Sequence, residues 1–345
     1  MKHQSKSTGR SSRKICVVLL VLLAVLLAAV GVAGLFLHSK FSMIQFDEGS
    51  RPIDTSTVCE EDLVLPDLPV RTEESVYADL QDDGSEDVLN ILLLGTDERT
   101  DEFSDNARAD SIMVLSLNTR LHTIKLVSIE RGIGVPVPGR NDDWITHTFR
   151  YGGAKLTMDT VKECFNLDLD RYVRVNFNIF QKAIDTINGV DIYLTEREAA
   201  GLNNKSGNSA TRHQVQAGWN HLDGYDALQY SRLRSIDSDW KRIERQRTVI
   251  QAAINQVKDL SLKELNDLAD TLLPMVKTNL RKNEMAALLL ELPGFISSGA
   301  QMEQMTVPAK DTCWSRVGVD GRKLIAVDFE KNSKILHEFF YGTEQ

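Results

Sequence analysis

Hydrophobic and polar positions divide this chain into three stretches of different character. Residues 15–37, ICVVLLVLLAVLLAAVGVAGLFL, carry no charge. At about 1.5 Å per residue such a run reaches roughly 35 Å, enough to cross a hydrocarbon core. Residues 38–87 are rich in Asp and Glu, with prolines at 52, 66 and 69. That composition builds no core and predicts a flexible linker. From Val88 onward, short apolar runs alternate with turns. VLNILLLG, DSIMVLSLN and TIKLVSIE predict strands, the first apolar enough to be buried on both faces. A helix is predicted over 153–165, a strand over 172–178, a helix over 179–188, a strand over 189–194 and a long helix over 239–259. A helical stretch over 262–289, the run QMTVPAK and a final helix near 329–341 complete an α/β order around a mostly central sheet. In such sheets, sites gather at strand ends. No domain break is predicted after residue 88.

Charge orients the apolar run. Lys2, Lys6, Arg10, Arg13 and Lys14 precede it, and only His38 and Lys40 follow closely. The positive-inside bias therefore predicts a cytoplasmic tail over 1–14, a transmembrane helix over 15–37 and a single-pass protein of the cell membrane whose C-terminal part is extracellular. A cleaved signal peptide is the competing reading, but its apolar core would span only about 7–15 residues. Beyond residue 40 the chain holds 34 basic against 49 acidic side chains, a net charge of −15. Such a surface excludes general nucleic-acid binding. Cys59, Cys164 and Cys313 allow at most one internal bridge, and without C-x-x-C spacing they predict no zinc site.

The strand ends carry the candidate chemistry. GTDER places Asp97 and Arg99 beyond the first strand, Arg108 and Asp110 open the second, and Glu130-Arg131-Gly132 closes the third. If the first two strands pair, Asp97 and Asp110 face each other across an antiparallel ladder. Two such carboxylates repel unless a proton or cation joins them, and oxygen-only ligands beside phosphate favour Mg²⁺. The alternative is structural: Asp97 caps a turn, and Asp110 pairs with Arg108 or Arg131. Farther along, SRLRSIDSDWKRIERQR sets a cluster of bases in an otherwise acidic region, which calls for an anionic partner of the phosphate type. The plain alternative is a solvated helix face laced with ion pairs. Arg232 and Arg234 point the same way if their segment is extended. Arg242 and Gln246, four apart, share a helix face with Arg245 beside them, while Ile243, Val249, Ile250, Ala253, Ile254 and Val257 are expected on the opposite, packing face. Lys241 and Arg247 are assigned to solvent.

NILLLGTDER, RADSIMVLSLN, SIERGIGV, RYGGAKLTMDTV and YDALQYSRLRSIDSDWKRIERQR, in that order behind an N-terminal anchor, resemble the signature of the LytR-CpsA-Psr family. The resemblance covers most of residues 88–345. It implies a three-layer α/β/α catalytic domain with a central mixed sheet, enclosing an apolar pocket for a polyprenyl chain. The implied activity is transfer of a glycopolymer from an undecaprenyl-pyrophosphate carrier onto peptidoglycan, with Mg²⁺, or Mn²⁺ in its place, as cofactor. It further implies Asp97 and Asp110 as metal ligands, Arg108, Arg131, Arg232, Arg234, Arg242 and Gln246 as the pyrophosphate grip, and Asp97, Asp110 and Arg131 as catalytic. The implied partners are a polyprenyl-pyrophosphate-linked glycan, the peptidoglycan acceptor and the bilayer.

Asp239, just before the long helix, is a candidate base by position, with a helix N-cap as its alternative role. The chain departs from the family pattern at Glu130 and Gly132, where Pro and Asp are usual, and at Trp144-Ile145-Thr146. His147 is expected to pack or hydrogen-bond beside Tyr151, and Trp219, Trp240 and Trp314 to pack in the core. Arg131→Ala and Asp110→Ala are each expected to lower activity at least tenfold, about 1.4 kcal/mol of barrier, with the fold intact. Two further readings stand beside the transferase: a polyprenyl-phosphate-binding scaffold or transcription attenuator without turnover, and a polyprenyl pyrophosphate hydrolase.

Overall fold

The computed structural model describes residues 38–54, 68–71, 75–76, 86–98, 102–205, 214–298 and 302–342. The expected cytoplasmic tail and transmembrane helix, Cys59 and Arg99 lie outside the described residues. Among the described residues, no helix is long and apolar enough to cross a membrane. Residues 38–43 close a helical turn, with Ser42 Oγ donating to the Ser39 carbonyl at 2.6 Å. A separate compact unit runs from Ile44 to the C-terminus.

Seven strands form a mixed central sheet in the spatial order β1 (Gln45–Phe46), β10 (Lys277–Thr278), β7 (Arg171–Asn176), β2 (Val88–Thr96), β3 (Ala109–Asn118), β4 (Thr123–Ile129) and β11 (Glu303–Val307). The β2–β3 and β3–β4 pairs are antiparallel, and β7 runs parallel to β2. Alternation along each strand decides which layer a side chain joins. Leu92, Leu94, Ile112, Val114, Val127 and Ile129 pack under α1 (Ile145–Phe165) and α8 (Phe329–Tyr341). Leu93, Met113, Leu115 and Leu126 face the other way, toward Ile250 and Ile254 of α5 (Asp239–Lys258). Helices therefore cover both sheet faces, as the three-layer expectation required.

Several elements differ from the sequence expectation for physical reasons. Among the described residues, the strand at 190–194 pairs only with Gly218–Leu222 in a separate two-stranded sheet, so it is not part of the central sheet. Its outward face carries Trp219, 74% exposed and edge-on to Tyr193 at 5.8 Å, which corrects the core assignment for that tryptophan. Trp314 is buried, and Trp240 packs against the main core. The 262–289 stretch breaks into α6 (Leu262–Leu272) and α7 (Lys282–Ser297), because residues 277–278 hydrogen-bond as a strand between β1 and β7. Nor is residue 88 the start of the folded unit. Gln45–Phe46 joins the sheet edge, Asp54 N donates to the Tyr151 carbonyl at 2.8 Å, and Ser315 N donates to the Pro69 carbonyl at 2.8 Å. Backbone hydrogen bonding, which composition does not reveal, ties these parts of the expected linker to the domain.

Helix α1 begins eight residues earlier than its pattern implies, because a break at Gly153 (φ 73, ψ −163) joins two helical segments. A Cβ there would lie 2.8 Å from the Gly49 carbonyl oxygen. Gly153→Ala is expected to cost at least about 1–3 kcal/mol in urea unfolding, since only glycine adopts this conformation without strain.

Candidate functional site

The C-terminal ends of β2, β4 and β7 and the start of β3 meet at one edge of the sheet. The β2–β3 register slips there: Gly95 lies opposite Ser111 and Thr96 opposite Ala109, so Asp110 is the extra residue of a β-bulge. Bulges re-aim side chains beside functional sites. Here Asp110 and Ser111, neighbours in sequence, line the same cavity. Gly95 makes room for it, since a Cβ at that position would meet the Ser111 Cβ at 2.9 Å.

The cavity has a volume of about 230 Å³. Asp110, Arg232, Arg242 and Gln246 form its polar end, and Leu93, Met113, Val173, Val175, Phe180 and Ile250 wall its interior. The sheet side is a direct consequence of register, with Val173, Leu93 and Met113 aligned across three strands. On the opposite wall, Arg242, Gln246 and Ile250 recur every four residues along α5, so one stripe passes from charged to apolar over about 12 Å. Ile250 therefore belongs to the gripping face and not to the one opposite it. That gradient matches an amphiphile with an anionic head.

Behind the polar end lies a buried ionic chain. Asp110 Oδ1 accepts from Arg131 Nη1 at 2.9 Å, and Arg131 Nε and Nη2 donate to Asp239 at 3.2 and 3.4 Å. Asp239 Oδ2 also accepts from Arg242 Nη2 at 2.9 Å. Burial opposes ionisation of Asp110, but Arg131, Arg242 and Arg108 outweigh it and hold the carboxyl below its ordinary range. For Arg131, the neighbouring carboxylates of Asp110 and then Asp239 overcome burial and raise the pKa. Arg242 is different: burial and then Arg131 lower its pKa against the pull of Asp239, and its buried Nε meets no acceptor among the described residues. An anion in the cavity would supply what Arg242 lacks.

The remaining candidates divide. Asp97 faces Arg108 and not Asp110, accepting from its backbone N at 3.0 Å and its Nη2 at 2.9 Å. The structural alternative for Asp110, pairing with Arg131, is thus also present. Both carboxylates are partly exposed at adjoining strand ends and each is paired with an arginine, and carboxylate oxygens are the donor type that an oxygen-preferring divalent cation takes. Arg232 caps α4 (Gly224–Ser231) and lies over the Phe177 ring at 4.4 Å, beside the cavity. Arg234 is exposed and does not line it, because buried Leu233 anchors a turn and the segment is not extended. Arg245 is buried among Glu198, Asp237 and the Leu233 carbonyl, where it pins that turn instead of facing the cavity. Arg247, assigned to solvent, is partly buried and donates to Thr306 Oγ1 at 2.8 Å. Ser238, not Asp239, caps α5.

Sequence reasoning missed Arg174, whose side chain hydrogen-bonds Glu98 and stacks 4.5 Å from both Phe103 and Phe149, fixing the segment after β2. His147 sits where expected, 6.0 Å from the Tyr151 ring. Both side chains hydrogen-bond Asp143, as does Arg322, and these bonds overcome burial to hold that carboxyl well below the usual carboxylate range. Cys164 and Cys313 are free, buried thiols.

The LytR_cpsA_psr family model matches residues 68–338. The chain belongs to the LytR_cpsA_psr family. The family match begins within the segment that composition assigned to the linker. Among similar members, the Bacillus subtilis polyisoprenyl-teichoic acid--peptidoglycan teichoic acid transferase TagT is 29% identical over 313 residues, 90% of each chain. The Oceanobacillus iheyensis polyisoprenyl-teichoic acid--peptidoglycan teichoic acid transferase TagU is 35% identical over 226 residues, 63% of this chain and 67% of that protein. A solved structure of TagT bound to LIIa-WTA is similar at a TM-score of 0.59 and 27% identity, covering 78% of this chain and 97% of that one.

Proposed function

We propose that this protein is a membrane-anchored, extracytoplasmic phosphotransferase that moves a glycopolymer from a polyprenyl-pyrophosphate carrier onto peptidoglycan. The observation that carries this reading is the amphiphilic cavity, with a guanidinium-lined mouth and an apolar interior continuous along β2, β3, β7 and α5. The activities named for the similar TagT and TagU proteins support it. The uncharged run at 15–37 would anchor the N-terminus, placing the domain where lipid-linked substrate and peptidoglycan meet.

In this reading the pyrophosphate lies at the polar end and the polyprenyl chain enters between the sheet and α5. Arg232, Arg242 and Gln246 bind and orient the phosphates, while Arg131 and Asp239 hold Asp110 and Arg242 in place. A muramic-acid hydroxyl attacks the sugar-linked phosphorus. The new phosphodiester bond forms as the bond to the bridging pyrophosphate oxygen breaks, the hydroxyl proton passes to the departing polyprenyl phosphate, and the remaining charge of that leaving group is met by guanidinium groups. Asp97 and Asp110 would hold Mg²⁺, or Mn²⁺, which supplies further charge neutralisation when bound. Asp239 is 3% exposed and engaged by two arginines, a placement that suits a hub and not the base suggested by its sequence position.

The purified protein is expected to carry a polyprenyl phosphate detectable by native mass spectrometry, and to transfer lipid-linked glycan to peptidoglycan in a Mg²⁺-dependent manner. Bound lipid without transfer would favour a scaffold, and water as the acceptor a hydrolase. Val175→Trp, which fills the cavity wall, is expected to lower lipid occupancy at least about tenfold, or roughly 1.4 kcal/mol. Unchanged occupancy would place the lipid elsewhere.

A further inference from the structure

Glu130 stands between the last residue of β4 and Arg131 and is 1% exposed. Its amide donates to the Val307 carbonyl at 2.9 Å, and its Oε1 accepts only a long 3.4 Å bond from Gly132 N. Its Oε2 is buried and, among the described residues, receives no hydrogen bond, and the Asp239 carboxylate acts on the Glu130 side chain from α5. Glu130 and Asp239 are both buried, and neighbouring buried carboxylates repel unless they share a proton. Together with Asp110 on the far side of Arg131, the cluster sets three carboxyl groups against the guanidinium groups of Arg131 and Arg242. One retained proton makes it neutral. The groups facing Glu130 are Asp239 and Arg242 from α5, its neighbour Arg131 with Asp110 beyond, and the Cys313 thiol, which burial and then Glu130 push up to about 11.

We propose that Glu130 is a positioning residue whose carboxyl proton bridges to Asp239, so that Asp239 can hold Arg131 against Asp110 and keep Arg242 at the cavity. This rests on the reading of that cavity as a pyrophosphate site. Ionised, Glu130 adds a charge that draws both guanidinium groups inward, away from Asp110 and from the bound phosphates. Burial and then Asp239 push the Glu130 carboxyl up to about 8, against Arg242 and Arg131. Because this lies above the ordinary 4.5, the stability it contributes is complete below that value and is lost as pH rises through about 8.

The test compares the full-length protein in detergent with its Glu130→Gln variant, which keeps a hydrogen-bond donor but cannot ionise. Geranyl pyrophosphate serves as the probe, and its own ionisation is common to both proteins. Wild-type affinity is expected to fall at least ~10-fold between about pH 6.5 and about pH 9, beyond the change seen in the variant. The wild-type Tm should fall more steeply with pH over the same interval. Glu130→Ala, which removes the donor, is expected to bind weakly throughout. Parallel affinity and Tm curves for wild type and Glu130→Gln would overturn the proposal. Absence of binding by every protein at every pH would overturn the phosphate-site reading and the positioning role with it, whereas the Tm curves would still report the shared proton.

Discussion

Arg131→Ala is expected to lower unfolding free energy by about 3–5 kcal/mol and to abolish transfer, a larger and broader effect than its place in a motif implies. Its guanidinium is 6% exposed and bridges Asp110 and Asp239. Truncation leaves both carboxylates in a poorly solvated environment without their shared cation, and breaking one partner of a buried pair is costly for that reason. The sequence-based expectation that activity would fall with the fold intact is thereby revised. Urea unfolding of wild type and variant measures the effect, and a loss below about 1 kcal/mol would show that the cluster relaxes without Arg131. Arg131→Lys is expected to recover part of the stability but little activity, because a lysine cannot donate to both carboxylates in the same fork geometry.

Arg232→Ala should behave in the opposite way, with transfer down about 10–100-fold and stability changed by less than about 1 kcal/mol. This side chain is partly exposed at the end of α4, lies over Phe177 and reaches the cavity mouth. Its removal costs one charged contact to phosphate in the bound state and little packing in the free one. The loss should fall on kcat/KM for the lipid-linked substrate and shrink in high salt. Equal loss of stability in Arg131→Ala and Arg232→Ala would refute the division between a buried positioning layer and an exposed gripping layer.

Local pattern made much of the framework legible. The continuous apolar run over 88–95 and its neighbours at 110–118 and 123–130 became β2, β3 and β4 nearly residue for residue, because short apolar runs bounded by turn residues suit strands of a sheet buried on both faces. The long helix, expected over 239–259 and found over 239–258, and the last helix were also legible, although the cap of the former is Ser238 and not Asp239. Among site residues, Asp110, Arg131, Arg232, Arg242 and Gln246 were recognisable as a set, since that many opposite charges beside apolar strands need a common reason. Less visible was everything that depends on a partner distant in sequence. The two-residue strand at 277–278 has no pattern of its own and exists because β1 and β7 flank it.

The sequence by itself determined the alternation of strands and helices, the acidic exterior and the residues able to meet a phosphate, since these follow from side-chain chemistry and short-range period. Only the tertiary structure decided their roles. A bulge turned Asp110 into the cavity, a shared face set Ile250 in line with Arg242 and Gln246, and α5 brought Asp239 against Glu130 and Arg131 across more than a hundred residues. Charge and burial act through distances in space, and residues so far apart along the chain acquire those distances only on folding.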